Sequence, residues 1–175
     1  AKEKSIDVLL KSFILVLKDM PDTSLFMVGG GPFKTAYIQL AKEMGLEKDV
    51  IFSGEVPQTE LLTNGYFQVG DVFATASTSE LQPVSLSEAM YFKVPIVGVD
   101  EKGVPEMIKG SGLLSTPGNA EELAKNILSV LKDSSLKKQL SDNSAARYND
   151  QYSRKAVMEA YEKLYADVIA AKMKK

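Results

Sequence analysis

Short apolar runs of β-favouring residues alternate with helical segments through the first two thirds of the chain. Strands are predicted over residues 24–28, 50–52, 71–76, 95–99 and 112–115. Helices are predicted over residues 5–19, from 33 to about 44, 59–69, from 83, 104–109, 119–131, 135–147 and from 153 to near the end. Because strands that alternate with helices pair in parallel through right-handed crossovers, this order predicts an α/β fold with a parallel sheet and helices on both faces.

Four loops follow the carboxyl ends of the predicted strands, which is where ligands of parallel sheets bind. They span residues 29–32, 53–57, 77–83 and 100–103. The third loop carries Glu80, and Glu88 follows eight positions later on the next predicted helix. The two glutamates therefore flank a strand-to-helix turn at the edge where a ligand would lie.

The helix predicted to begin at Pro83 is a candidate anion site. Proline is favoured at the first helical position, because its missing N–H would have no partner there. The N–H groups of Val84, Ser85 and Leu86 would then lack helical partners, and such helix starts bind phosphate. Glu88 would share their helix face one turn later, where its carboxylate could accept hydrogen bonds from a vicinal diol. This arrangement suits a phosphorylated sugar or a nucleotide-sugar better than acid/base hydrolysis.

The composition removes several kinds of chemistry. The 175 residues include no cysteine and no histidine, which excludes disulfides, thiolate metal sites, Ser-His and Cys-His nucleophile pairs and most zinc sites. A formal net charge of -2 argues against a nucleic-acid partner. No run of about 18 apolar residues is present, so no membrane-spanning helix is predicted. Catalysis would use carboxylates, Lys, Arg, Tyr or backbone groups, or a residue from another chain or domain.

Six short motifs occur in the order and spacing of one enzyme family. They are Glu3-Lys4, residues 28–32 (VGGGP), 50–56 (VIFSGEV), 66–73 (Y…DVF), 79–90 (SE…EAM) and 95–106 (PIV…D…GVPE). Together they resemble the C-terminal, donor-binding half of glycosyltransferase family 4, the retaining enzymes with the GT-B fold. The resemblance covers nearly the whole chain and implies a Rossmann-like sheet. Because the chain has no signal peptide and begins abruptly inside the first motif, we interpret residues 1–175 as one nucleotide-sugar binding domain that lacks the N-terminal acceptor domain.

The resemblance implies roles for three charged side chains. Glu80 would bind hydroxyls of the donor sugar, and Lys4 would neutralise the leaving diphosphate, so these two are the candidate catalytic residues. Glu88 would hold the ribose diol. Without the resemblance, Glu80 and Glu88 are two surface carboxylates and Lys4 is a solvated charge in a mixed-charge segment.

The resemblance also implies a donor site built largely from backbone groups. N–H groups near Val84 and Ser85 would meet the diphosphate, and the backbone around Val56 would face the base. Gly30 and Gly31 would belong to the donor-binding loop after the first strand. They do not form a dinucleotide fingerprint, since no G-x-G-x-x-G spacing is present.

The implied reaction transfers a hexose from a UDP- or GDP-linked sugar to a lipid or saccharide acceptor with retention, and front-face attack is the favoured view of this chemistry. The family usually requires no metal or other cofactor, and this sequence has no Asp-x-Asp motif. The acceptor would bind mainly to the missing domain, so the chain alone is expected to be inactive. A cytoplasmic location is expected, with peripheral attachment of the full-length protein to the inner face of the membrane as an option.

Three features depart from the family pattern. The family's Arg before the Lys would fall upstream of Ala1. Pro83 stands where a glycine is usual and removes one N–H donor. Lys93 stands where the helix terminator is usually glycine, and a left-handed backbone costs a residue with a side chain roughly 1 kcal/mol. With Lys93 at this position, the turn after the helix can differ from the glycine turn of the family.

Three functions remain open from the sequence. The first is the donor half of a retaining glycosyltransferase, and the second is another GT-B enzyme such as a sugar-nucleotide epimerase. The third is a nucleotide- or sugar-phosphate-binding module without catalysis, which Pro83 and Lys93 favour. Neither the base, the sugar, the acceptor nor the oligomeric state follows from the sequence. The apolar face around Tyr161 and Tyr165 of the last helix is interpreted as packing across two domains rather than a membrane surface.

Overall fold

The computed structural model describes residues 2–173, with side chains described within residues 3–172. Its strands are β1 (Leu25–Val28), β2 (Val50–Gly54), β3 (Phe73–Ala74), β4 (Ile96–Val99) and β5 (Gly112–Ser115). Its α-helices are α1 (Ile6–Asp19), α2 (Lys34–Glu43), α3 (Gln58–Thr63), α4 (Val84–Tyr91), α5 (Val104–Ile108), α6 (Ala120–Lys132), α7 (Ser134–Arg147) and α8 (Arg154–Met173). A 3₁₀ turn at Lys2–Lys4 precedes α1, and a π-helical turn at Tyr148–Tyr152 precedes α8.

All strand pairs in this range are parallel, which confirms the predicted α/β architecture. β1 pairs with β2, with Leu25 opposite Val50. β3 pairs with β4, and β4 pairs with β5, with Ile96 opposite Gly112. Between residues 2 and 173 no ladder joins β1 to β3, so the strands form a two-stranded and a three-stranded sheet where the sequence predicts one.

Two apolar cores hold the helices against the sheets. The larger lies where α1 packs on α6, and its fully buried side chains include Leu10, Val16 and Leu123. The smaller includes Leu86 of α4 and Ile108 of α5. Fully burying a side chain of this kind contributes about 1.5–3 kcal/mol. Together the cores fix the carboxyl ends of the strands and the start of α4, which is the edge predicted to bind a ligand.

Several element boundaries differ from the prediction. α3 ends at Thr63, short of the predicted end, because Gly65 adopts φ +80° and leaves the helical conformation. β3 forms a ladder only over Phe73–Ala74, although residues 71–76 were expected to be extended. α1 begins at Ile6, one residue after the predicted start. The Ser5 hydroxyl makes no capping hydrogen bond, and the Ser5 carbonyl accepts the N–H groups of Val8 and Leu9.

The turn after α4 keeps the left-handed backbone even without glycine. Lys93 has φ +60°. Its N–H donates to the Met90 carbonyl at 3.0 Å, and the Val94 N–H donates to the Ala89 carbonyl at 2.9 Å, which is the Schellman pattern. The Ser141 hydroxyl of α7 donates to the Lys93 carbonyl at 2.6 Å. The turn therefore has the left-handed backbone that glycine usually supplies at this position. Lys93 adopts this backbone although it has a Cβ, which carries a conformational cost.

Lys93→Gly is expected to raise the free energy of unfolding by about 0.5–1 kcal/mol, because glycine adopts positive φ without a Cβ clash. Lys109→Gly is the matched control, since Lys109 follows α5 with φ −52° and gains nothing from glycine. We expect it to lose a few tenths of a kcal/mol, as an added glycine raises the entropy of the unfolded chain. Urea unfolding of both variants and the parent measures these changes, and destabilisation by both substitutions would contradict strain at Lys93.

The helix α8 presents an apolar face that the rest of the described chain does not cover. The side chains of Tyr161, Leu164, Tyr165, Val168 and Ile169 are each more than half exposed. The interpretation of this face as a packing surface between two domains therefore stays a prediction. No helix within residues 2–173 combines the length and the apolar character needed to cross a membrane.

Candidate functional site

A cavity of about 690 Å³ opens at the carboxyl ends of β1 and β3. Its volume lies within the usual range for small-molecule sites. Six of the predicted site residues line it: Lys4, Gly30, Gly31, Glu80, Ser85 and Glu88. Val56 and Val84 lie outside its lining, and the Val84 side chain is exposed. Val56 and Val84 could therefore contact a ligand only through their backbone groups. A backbone contact is also what the sequence analysis predicts for both residues.

Glu80 belongs to a network that ties its loop to the start of the chain. The Lys4 ammonium donates a hydrogen bond to Glu80 Oε1 and forms an ion pair with it. The buried Ser77 hydroxyl donates to the same oxygen at 2.9 Å. In addition, the Thr78 N–H donates to the Glu3 carbonyl at 2.9 Å. The two candidate catalytic side chains are therefore in contact, and Ser77 is a partner that the sequence did not single out.

The pKa of the Glu80 carboxyl lies below its ordinary value of 4.5. The chief cause is the hydrogen bond from the Lys4 ammonium. Partial burial acts in the opposite direction, and the Ser77 hydrogen bond adds to the lowering. At neutral pH the group is an ionised carboxylate, which accepts hydrogen bonds from hydroxyls and supplies no proton.

This ion pair predicts a pH dependence of stability with a defined sign. A carboxyl group whose pKa is lowered by folding stabilises the fold above its unfolded-state pKa, and this contribution is lost as the pH falls through the folded-state pKa. Lys4→Met should therefore lower the free energy of unfolding at pH 7, by up to about 1 kcal/mol for a pair this open to solvent. The difference from the parent should shrink as the pH falls below 4.5.

Lys11→Met is the matched control, since Lys11 pairs with Asp7 on the exposed side of α1 at 3.0 Å. An NMR titration of the Glu80 carboxyl measures its pKa in both variants. We expect the pKa to rise in Lys4→Met and to stay unchanged in Lys11→Met. An unchanged pKa in Lys4→Met would rule out the ion pair.

The start of α4 differs slightly from the prediction. Pro83 has φ −68° and ψ 120°, so it is the N-cap and Val84 is the first helical residue. The Leu86 N–H donates to the Pro83 carbonyl at 3.1 Å, so this group is not open as predicted. Val84 and Ser85 hold the first two N–H groups of the helix, which precede its regular hydrogen bonds. Two backbone donors thus remain as the candidate anion contact.

Glu88 lies on α4 one turn beyond these donors and faces the cavity. The Gln58 side-chain amide donates to Glu88 Oε1 at 3.2 Å. Gln58 is the first residue of α3, directly after the second ligand loop. The amide restrains the rotamer of a carboxylate that would otherwise be free to turn. The only sign of this contact in the amino-acid order is the position of Gln58 next to a ligand loop.

Gly103 holds the third and fourth ligand loops against each other. Its N–H donates to the Glu80 carbonyl at 2.9 Å. A Cβ at this position would overlap the backbone carbonyl of Leu81. The backbone of Gly103 has φ −86°, which other residues adopt readily, so the need for glycine comes from the contact and not from the conformation. The position of Glu80 therefore depends on the absence of a side chain at Gly103.

The part of the chain that the structure describes holds no cluster of three or more acidic, histidine or cysteine side chains that could bind a metal ion. Independence from metal nevertheless stays a prediction, because a substrate phosphate can supply metal ligands of its own.

A family model described as glycosyl transferases group 1 matches residues 1–147. The chain is 28% identical over 171 residues to N-acetyl-alpha-D-glucosaminyl L-malate synthase of Bacillus anthracis, covering 96% of this chain and 43% of that protein. It is also 28% identical over 175 residues to alpha-monoglucosyldiacylglycerol synthase of Acholeplasma laidlawii, covering 100% of this chain and 43% of that protein. The chain thus spans less than half the length of these relatives.

Among solved structures, a variant of S. aureus TarM in complex with UDP, fondaparinux and alpha-GlcNAc-glycerol has the same fold. The two chains align with a TM-score of 0.83 and 24% identity. The alignment covers 93% of this chain and 33% of TarM. At this identity the likeness shows the fold alone.

Proposed function

The chain belongs to the glycosyl transferases group 1 family and has the fold of GT-B glycosyltransferases, and from that premise we propose that it is a nucleotide-sugar donor domain. In the longer protein, this domain would bind the donor of a retaining enzyme, which transfers a hexose from an NDP-sugar to a lipid or saccharide acceptor. One observation supports the proposal: six separately predicted residues line one cavity. Three of them lie between Glu80 and Glu88, two lie in the loop after β1, and the sixth is Lys4.

The diphosphate would bind at the start of α4. The Val84 and Ser85 N–H groups and the positive end of the helix dipole favour an anion there. Lys4 adds a full positive charge at the same cavity. An ammonium group has three donor hydrogens, so Lys4 can remain bonded to Glu80 while it donates to a phosphate oxygen. This arrangement stabilises the charge that develops on the departing diphosphate.

The sugars of the donor would contact the two glutamates. Glu88, restrained by Gln58, would accept hydrogen bonds from the ribose diol. Glu80 is ionised and held by Lys4 and Ser77, so it would accept hydrogen bonds from hydroxyls of the transferred hexose. The base would lie against the backbone near Val56.

In the proposed reaction, the bond between the anomeric carbon and the diphosphate oxygen breaks. The acceptor oxygen forms the new bond on the same face, and its proton passes to the departing diphosphate oxygen. The ionised Glu80 orients the hexose and does not supply the proton. Acceptor binding is proposed for the N-terminal half of the longer protein, because positioning two substrates together makes their reaction effectively unimolecular.

Calorimetric titration of the chain with UDP, GDP and ADP tests donor binding. We expect one nucleoside diphosphate to bind with the same affinity in EDTA as in Mg²⁺, because N–H groups and Lys4 supply the positive field. The family's upstream Arg would add a charge-assisted bond worth roughly 1.5–3 kcal/mol. The chain should therefore bind about one to two powers of ten more weakly than a longer protein that includes it. Binding that EDTA abolishes would contradict metal independence, and no binding of any nucleotide would contradict the donor-domain proposal.

The same preparation, mixed with the UDP- or GDP-sugar that it binds and with a panel of lipid and sugar acceptors, tests whether the chain transfers a sugar. We expect no glycosylated product from residues 1–175. Product above the level of a protein-free control would show that acceptor positioning is also provided by this chain.

A further inference from the structure

The loops after β1 and β2 are joined by their backbones. The Gly29 N–H donates to the Gly54 carbonyl at 2.9 Å, and the two glycines form an isolated β-bridge. Lys34 begins α2 directly after the first loop, and Glu55 follows Gly54 in the second. Glu55 is also the residue before Val56, against whose backbone the base of the donor is proposed to lie. Both charged side chains therefore belong to the part of the site assigned to the base.

The side chains of Lys34 and Glu55 cross between these two loops in opposite directions. Lys34 Nζ lies 2.7 Å from the position that a Cβ on Gly54 would take, so the half-buried lysine reaches over the second loop. Glu55 Oε1 lies 2.8 Å from the position of a Cβ on Gly30, so the carboxylate folds back over the first loop. Lys34 and Gly30 both line the cavity. An ammonium and a carboxylate thus lie on neighbouring loops at one edge of the cavity.

Neither charge is engaged by another side chain. Within residues 3–172, no ion pair involves Lys34 or Glu55, although other lysines and carboxylates of the chain are paired. The two groups also do not pair with each other. An ammonium can only donate hydrogen bonds, and an ionised carboxylate can only accept them. The two side chains therefore present a donor next to an acceptor, in a fixed order, to a ligand in the cavity.

Nucleobases present one of two patterns on the edge that carries the exocyclic group. Uracil has the O4 acceptor beside the N3–H donor, and guanine has the O6 acceptor beside the N1–H donor. Cytosine and adenine have an amino donor beside a ring nitrogen that accepts. A donor next to an acceptor complements the first pattern. Against the second pattern, donor faces donor and acceptor faces acceptor.

We propose that Lys34 and Glu55 form a base reader, which selects a donor nucleotide with uracil or guanine over one with adenine or cytosine. This inference rests on the proposed function and specifies the base of the same donor. The Lys34 ammonium donates to O4 or O6 of the base, and the Glu55 carboxylate accepts the ring N–H beside it. A bound base also shields both side chains from water, so a mismatched base leaves both without a partner.

Two pairs of nucleoside diphosphates that differ only at this edge test the base reader. UDP and CDP are the pyrimidine pair. IDP and ADP are the purine pair, because hypoxanthine has the O6 and N1–H of guanine without its amino group. Calorimetric titration of the chain with all four gives an affinity ratio for each pair. In every pair that binds, we expect the carbonyl-bearing member to bind about 10- to 100-fold more tightly.

Two variants assign this ratio to the two side chains. Lys34→Met removes the ammonium at similar length, and Glu55→Gln replaces the carboxylate with an amide that can donate as well as accept. We expect each variant to reduce the ratio by about three- to tenfold. Lys42→Met is the matched control, since Lys42 lies on the same helix, pairs with Glu47 at 3.7 Å and does not line the cavity. Its ratio should equal that of the parent.

The ratio isolates recognition of the base from other roles of these side chains. Both members of a pair share the ribose and the diphosphate, so a side chain that only binds phosphate or stabilises the fold changes both affinities equally. Equal affinities within each pair that binds, or tighter binding of CDP or ADP, would overturn the base reader and leave the donor-domain proposal intact. A parental ratio in either Lys34→Met or Glu55→Gln would also overturn it. If neither these four nucleotides nor GDP bind, the donor-domain proposal fails and the base reader fails with it.

Discussion

Gly103→Ala is expected to destabilise the protein by about 3 kcal/mol or more, or to displace the loop that carries Glu80. The added Cβ would overlap the backbone carbonyl of Leu81, and a backbone atom cannot move aside as a flexible side chain can. The substitution introduces no conformational strain of its own, since Gly103 has φ −86°. The measurements are the free energy of unfolding in urea and the affinity for the nucleotide that the parent binds.

Gly70→Ala is the matched control for this contact. A Cβ at Gly70 would lie 3.6 Å from the Phe67 carbonyl oxygen, which is an ordinary van der Waals distance. Gly70 is also not among the glycines with positive φ in the described chain. We expect a change within about 0.5 kcal/mol. Equal stability and equal nucleotide affinity in Gly103→Ala and the parent would contradict the close approach of the two ligand loops.

The second large effect is expected for Glu88→Ala, which should weaken nucleotide binding by about 1–3 kcal/mol. This corresponds to about 5- to 150-fold in the dissociation constant. The reason is that a ribose diol held at the cavity would lose its acceptor. Calorimetric titration measures the affinity, and circular dichroism shows that the variant is folded.

Two further variants place this effect within the site. Glu60→Ala removes an exposed glutamate of α3 that does not line the cavity, and we expect the parental affinity. Gln58→Ala leaves the Glu88 carboxylate in place but removes its restraint, so we expect a smaller loss than for Glu88→Ala. Parental affinity in folded Glu88→Ala would exclude this carboxylate from the nucleotide site.

Local sequence patterns were sufficient to predict the order of helices and strands. They also predicted that the candidate site lies at the carboxyl ends of the strands, where the cavity opens. The strand-and-helix alternation depends on the periodicity of neighbouring residues, and the parallel pairing follows from it. The start of α4 was predicted within one residue, because proline restricts the backbone wherever it occurs. The family resemblance assigns Lys4 and Glu80 to the same donor site, but it did not predict the direct contact between them.

Contacts between distant segments could not be predicted in the same way. Within residues 2–173 no ladder joins β1 to β3, and no local pattern at Leu25 or Phe73 encodes that division into two sheets. The Gln58 contact with Glu88 joins residues 30 positions apart and depends on how α3 is placed. The early end of α3 at Thr63, in contrast, has a local cause. Gly65 adopts a positive φ that ends the helix, and a glycine at this position could have predicted the earlier end.

The link between Lys4 and Glu80 joins residues separated by 76 positions. At a synthesis rate of about 5–20 residues per second, Lys4 exists for about 4–15 seconds before Glu80 is made. α1 and β1 can form during that interval, but the ion pair between Lys4 and Glu80 cannot. Closing a chain loop of this length also costs conformational entropy before the contact is rewarded. A nascent chain that stalls before residue 80 therefore contains both strands of the β1–β2 sheet and Lys4, but it lacks the Glu80 partner that completes the ion pair of the candidate site.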